Sequence, residues 1–234
     1  MSYDGPALIA ALTRFARLLP TEYGADEALE ELVAAESSVL GLTGVGVVML
    51  SQGRLRMQKA AGRHVLAAER CQEQRQQGPC VDAHRSGTVV AVGDLAGCAQ
   101  RWPQYVAVAR QDRIAAVAGI PMRLRDNPIG AVNLYEARPR TWAEPDLEVA
   151  RVLADTAVGY LVNADRRDRQ LALTGQLQQA LESRVLIEQA KGVISNAKGI
   201  TPDEAFALIR QHARARQLRL RTVAHAIIET GLQL

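Results

Sequence analysis

The residues best suited to chemistry in this sequence are arginines gathered near its C-terminal end. Between Ala205 and Ile228 there is no Asp or Glu, while Arg210, Arg214, Arg216, Arg219 and Arg221 fall there with His212 and His225. A planar guanidinium presents a fork of donors that matches phosphate oxygens, so a basic face without interspersed acids points to a polyanion rather than to a merely solvated helix surface. From Leu177 to Leu234 eight basic residues stand against five acids, which accounts for the whole chain's formal charge of +3 and leaves residues 1–176 balanced. Upstream, Arg184 and Lys191 are seven residues apart, about two helical turns, and project from nearly one face. Gly192, beside Lys191, leaves room for a nucleic-acid backbone or base to come close.

Other chemistry is thinner. His84 follows Cys80 by four residues, so on a helix they share a face and form the candidate ligand-binding pair of the N-terminal half. No third group completes a catalytic set around them, and a cysteine beside a Pro-bounded helix reads more simply as a small buried apolar residue. Cys71, Cys80 and Cys98 are odd in number and lack C-x-x-C spacing, which supports neither a disulfide framework nor a zinc knuckle. There is no H-E-x-x-H, no phosphate-binding glycine loop and no paired-carboxylate motif, so the reading is of a non-enzyme with no metal and no identifiable cofactor. The N-terminus lacks the basic start and apolar run of a secretory signal, and no stretch reaches spanning length; the expected location is the cytoplasm.

The elements that position the arginines are helical. Leu177, Ala180, Leu181, Ile187, Ala190 and Ile194 recur at helical spacing, and Gly199 closes that helix. Thr201-Pro202-Asp203-Glu204 is a start signal, with a capping hydroxyl, a proline at the first helical position and a glutamate that reaches back. A second helix buries Ala205, Phe206, Leu208 and Ile209, and a third carries Leu220, Val223, Ala224 and Ile227, so three short helices share one small core. The pattern Ala180-Leu181, Arg184, Ile187, Ala190-Lys191-Gly192, then Asp203-Glu204-Ala205-Phe206, Leu208, Arg210, then Leu220, Val223-Ala224, resembles the ANTAR domain of bacterial transcription antiterminators. That resemblance implies an RNA-binding unit that, as a dimer, recognises paired stem-loops in nascent messages and prevents terminator formation. Where many members carry an Asn before the third helix, this chain reads Arg216-Gln217-Leu218-Arg219. With aromatics only 4% of the chain, stacking platforms are scarce and RNA contact must lean on arginine.

The N-terminal part alternates helices with apolar runs of strand length: Val45 to Leu50, Leu55 to Ala60, Thr88 to Val92, Ile114 to Leu124 and Ile129 to Tyr135. Asp126-Asn127-Pro128 is read as the turn joining the last two. This is an α+β domain with a mostly antiparallel sheet. Gly119-Ile120-Pro121-Met122, Ile129 to Leu134, and Trp142 with Asp146-Leu147 resemble the last strands and closing helix of a GAF domain, and Gly78-Pro79-Cys80 resembles the form that precedes ANTAR domains in actinobacterial proteins. The GAF resemblance implies a sensor with a small-molecule pocket between the sheet and the loops around residues 65–112; some members are thiol-dependent reductases.

Between the two parts, Leu147, Ala150, Ala154, Ala157, Leu161 and Ala164 recur by threes and fours, the coiled-coil period. Ala150, Ala154, Ala157 and Leu161 are accordingly read as the seam of a homodimer, with a weak spot at Thr174-Gly175. The sequence thus divides into a GAF-like domain with its N-terminal helix (1–159), a helical coiled-coil connector (160–175) and an ANTAR-like unit (176–234). The function expected is a signal-responsive, RNA-binding antitermination regulator acting on stem-loops of mRNA leaders; a DNA-binding helix-turn-helix regulator and a thiol-dependent reductase are the alternatives.

Overall fold

The computed structural model describes residues 3–234. Two compact units divide after Arg166. In the first, α1 (Gly5–Leu18) and α2 (Ala25–Leu40) precede the hairpin β1 (Gly44–Ser51) and β2 (Arg54–Ala61). Three short helices follow, α3 (Leu66–Arg75), α4 (Pro79–Ser86) and α5 (Pro103–Gln111), with β3 (Val90–Val92) between the last two. The strands β4 (Ala116–Leu124) and β5 (Asn127–Glu136) lead into α6 (Glu144–Lys198), and α7 (Pro202–Ala215) and α8 (Leu220–Thr230) complete the second unit.

The five strands form one antiparallel sheet in the order β2-β1-β5-β4-β3. Both long hairpins turn on two residues. Gln52 and Gly53 take φ values of 50° and 75°, the left-handed pair that matches strand twist. In the second hairpin Leu124 pairs with Asn127, so the turn is Arg125-Asp126, with Arg125 at φ 57°, and Pro128 lies inside β5. The turn expected at Asp126-Asn127-Pro128 therefore sits one residue earlier; Pro128 is accommodated where the register slips between Met122 and Arg123.

Alternation along β5 sorts the two helical layers. Val132 and Leu134 join the core formed with α1, α2 and the first turns of α6. Ala131 and Tyr135 face the other way, toward α3, α4 and α5. In the first layer Phe15, Leu32, Ile120, Leu134 and Leu153 are among the largest fully buried side chains, each worth roughly 1.5–3 kcal/mol of apolar burial.

Arg140 fastens the corner where the sheet passes into α6. Its guanidinium donates to the Leu40 carbonyl at 3.0 Å, to Glu136 at 3.2 Å and to Asp146 at 3.1 Å, and lies over the Trp142 ring. Trp142 in turn donates from its indole to the Val92 carbonyl at 3.1 Å. Strand, helix and loop ends separated by up to 100 residues thus meet on one side chain.

Candidate functional site

The second unit is built as its sequence signals imply. Gly199, at φ 64°, ends α6, and the Ile200 amide returns to the Ser195 carbonyl. The Thr201 amide donates to Glu204 Oε2 at 2.8 Å while the Glu204 amide donates to Thr201 Oγ1, a reciprocal cap. These hydrogen bonds hold the Glu204 carboxyl below its ordinary value. Ala190 and Ile194 from α6, Ala205, Ile209 and Ala213 from α7, and Val223, Ala224 and Ile227 from α8 form the core.

That packing turns Arg210 and Arg214 to the solvent side of α7, where they line a groove with Gln211. Arg184, Arg216 and Arg219 are exposed as well. None of these five has a carboxylate partner among the described residues. Two other residues singled out from the sequence do. Arg221, which has no acid nearby in sequence, reaches Glu182 of α6 at 3.7 Å. Lys191 pairs with Glu188 at 2.9 Å and lies 5.7 Å from the centre of the Phe206 ring, with its side chain only 15% exposed. Glu188, the acid one turn beyond Arg184, is therefore taken by Lys191. Gly192 is exposed, and an added Cβ there would meet nothing within 4 Å.

The first unit carries a polar cluster inside it. Glu69, on the inner face of α3, is fully buried; its Oε1 accepts from Tyr135 Oη at 2.7 Å and from Asn133 Nδ2 at 2.8 Å. Gln72 donates to Tyr135 Oη at 3.1 Å and accepts from the Cys80 amide at 3.0 Å. Glu69 Oε2, Asn133 Oδ1 and Tyr105 Oη are buried without protein partners. Burial pushes the Glu69 carboxyl up to about 7, against the pull of the Tyr135 and Asn133 hydrogen bonds and with the Glu73 charge adding to the rise. The sheet makes room for it: a Cβ on Gly46 would lie 1.8 Å from Glu69 Oε1. Cys80 is fully buried, and burial together with the Glu69 charge raises its thiol well above the ordinary range. His84 is half-buried, with its pKa lowered by burial and by Arg85, and its Nδ1 has no partner. No hydrogen bond joins Cys80 to His84 among the described residues, so the pair does not form a dyad.

A family model described as GAF domain matches residues 24–161, more than half of the chain, and one described as ANTAR domain matches residues 175–228. The chain belongs to the GAF domain family and carries a C-terminal ANTAR domain. Over 142 residues it is 37% identical to the transcriptional regulatory protein PdtaR of Mycobacterium tuberculosis, a match covering 53% of this chain and 65% of that protein. The chain thus spans 65% of the length of that curated relative. Among solved structures, the GAF domain of a phosphoenolpyruvate-protein phosphotransferase from Coxiella burnetii superposes with a TM-score of 0.56 at 12% identity, covering 71% of this chain and 99% of that one. The corresponding Acinetobacter domain gives 0.53 at 12% identity, over 68% and 94%. These likenesses show the fold.

Within the GAF domain the expected dimer seam is corrected. Ala150, Ala154 and Ala157 have no exposed surface, and Leu161 packs half-buried beside them, all in the core that α6 forms with α1, α2 and the sheet. The small alanine side chains let the helix approach its own domain, and those three alanines have no surface left for a second chain to touch. Among the exposed large apolar residues of α6, Val152 lies within this stretch at 52% exposed and the rest come later, with Leu171, Leu173, Leu177 and Leu181 57–64% exposed. Sequence reading also missed Glu69, Gln72, Tyr105, Asn133 and Tyr135. The signals were there in Gly46 and Asn133, each interrupting an otherwise apolar strand.

Proposed function

We propose that this protein is a signal-responsive, RNA-binding regulator of transcription antitermination that acts as a homodimer on stem-loops of nascent mRNA. The observation that carries this reading is the set of exposed arginines without carboxylate partners, Arg184, Arg210, Arg214, Arg216 and Arg219, on the ANTAR domain. Guanidiniums left without acids are free to meet phosphates bidentately. Arg221 and Lys191 belong to the second rank of contacts, since each must first leave Glu182 or Glu188. Gly192 supplies an open point of close approach. Leu173, Leu177, Leu181 and Val185 recur every four residues along exposed α6 and form the seam with a second copy, since a self-complementary helix stripe is what a two-fold dimer requires. The sensor part acts without catalysis: the Cys71 and Cys80 thiols, both raised by burial, stay protonated at neutral pH and are poor nucleophiles.

The salt dependence of binding tests the arginine contacts. Log affinity for a stem-loop should fall with log salt by about 0.7 per phosphate contact. Replacing Arg214 and Arg219 with Gln should weaken all RNAs alike and flatten that slope. Equal slopes for the wild type and the double variant would return these arginines to the solvated surface, and tighter binding to duplex DNA than to the stem-loop would overturn the RNA reading. For the seam, light scattering of Leu177→Glu/Leu181→Glu should show monomer, because a charge there would be buried unpaired; an unchanged dimer removes the seam.

A further inference from the structure

On the solvent side of the GAF domain's α3, opposite the buried Glu69, the helix forms one wall of a groove of about 720 Å³ whose other wall is α5. Arg63, Arg70 and Arg75 line it, together with His64, and Asp112 is its one carboxylate. All three arginines are exposed, and none has a carboxylate partner among the described residues. The neighbouring acids are otherwise engaged: Glu69 is buried beneath the helix, and Glu73 pairs with Arg56 at 3.2 Å. Between the arginines the floor is apolar, made by Leu66 and Ala67 on one side and Ala107 and Val108 on the other. Cys71 is half-buried in the same groove, close enough to Arg75 for that charge to draw its thiol down against the effect of burial.

We propose that this groove binds a small, multiply charged anion, a phosphorylated or polycarboxylate metabolite whose charges meet the arginines and whose body rests on the apolar floor. The volume falls within the usual range for small-molecule pockets, roughly 300–1,000 Å³. Three guanidinium forks around one concave site suit several oxygens of one compact ligand. A nucleic-acid backbone, in contrast, presents phosphates in a line and is met by cations along a ridge. The assignment is independent of the antitermination reading, because anion binding is measured without RNA.

Cys71 provides the readout in the intact chain. Alkylation by neutral iodoacetamide is followed by peptide mass spectrometry at Cys71 and at Cys98, which is also half-buried but does not line the groove. Inorganic pyrophosphate and citrate serve as separate probes, and whichever protects names the phosphate or the carboxylate class. Saturating probe should slow Cys71 alkylation by about tenfold while leaving Cys98 unchanged, and Arg63→Gln/Arg70→Gln/Arg75→Gln should abolish the protection. The three positions are exposed, and unaltered tryptophan fluorescence of the triple variant would confirm its fold. The proposal fails if neither anion alters the Cys71 rate, if protection survives in the triple variant, or if only a stem-loop RNA protects, which would make the groove an RNA surface.

Discussion

Replacing Glu69 by Gln should remove a defined part of the protein's pH dependence. The folded carboxyl titrates at about 7 against an ordinary 4.5, raised chiefly by burial. Below the ordinary value both folded and unfolded chains hold the proton, so pH has no effect through this group. As pH rises from 4.5 toward 7 the unfolded chain gives up its proton first, unfolding releases a proton, and stability falls; above 7 both forms are ionised and the loss levels off. The interval of about 2.5 pH units, at about 1.4 kcal/mol each, corresponds to roughly 3 kcal/mol, most of it lost between about pH 5 and pH 8. Gln keeps an acceptor for Tyr135 and Asn133 and fits the same space above Gly46, so the variant removes the titration with little change of packing. The groups facing Glu69, namely Tyr105, Tyr135 and Cys80, all have pKa values raised well above ordinary by burial and stay protonated across this window. Glu36, buried and likewise raised, contributes equally to both proteins and cancels in the comparison. Both tryptophans, Trp102 and Trp142, lie in the GAF domain, so urea unfolding followed by tryptophan fluorescence reads this unit alone. The stability advantage of the Gln variant over wild type should grow by about 2–3 kcal/mol from pH 5 to pH 8. A constant difference across that range would refute the placement of an ionisable Glu69 in the sheet's interior.

Two further outcomes follow from local geometry. Arg140→Met should destabilise the GAF domain by roughly 3 kcal/mol or more, because it leaves the Asp146 carboxylate, 2% exposed, without its cation; urea unfolding followed by tryptophan fluorescence measures it, and a loss below about 1 kcal/mol would show the corner to be redundant. Gln217, at φ 53° between α7 and α8, holds a left-handed conformation that costs a side chain roughly 1 kcal/mol, so Gln217→Gly should raise the thermal midpoint of the ANTAR domain's helical circular dichroism.

The break between α6 and α7 was legible, because the start signal at Thr201 to Glu204 and the closing Gly199 are local, whereas the unbroken run of α6 from Glu144 to Lys198 was not. The sheet was legible for a similar reason, since strand-length apolar runs bounded by turn residues need no distant information. The seam at Ala150, Ala154 and Ala157 was misread because a stripe of small residues looks the same whether it meets a second helix or the helix's own domain; only the positions of α1, α2 and the sheet decide it. Glu69 was invisible for the opposite reason. A glutamate in a glutamine-rich helix reads as solvated, and its partners Asn133 and Tyr135 lie 64 and 66 residues further on. The ion pair of Arg221 was out of reach of the sequence likewise, because its acid, Glu182, lies on another helix.

The Arg140 corner bears on the moment of synthesis. The carbonyl of Leu40 is made early, but the side chain that reaches it and the Asp146 carboxylate that steadies that side chain emerge about a hundred residues later. Until the first turns of α6 leave the ribosome, the sheet face they cover has only α1 and α2 upon it, and the apolar positions that receive Leu153, Ala154 and Ala157 stand open. At about 5–20 residues per second that exposure lasts for seconds, long enough for a nascent chain to meet a chaperone or another copy of itself. A fragment ended before α6 would carry the same open face permanently. The GAF domain therefore completes its core only once the helix that goes on to form the ANTAR core has begun.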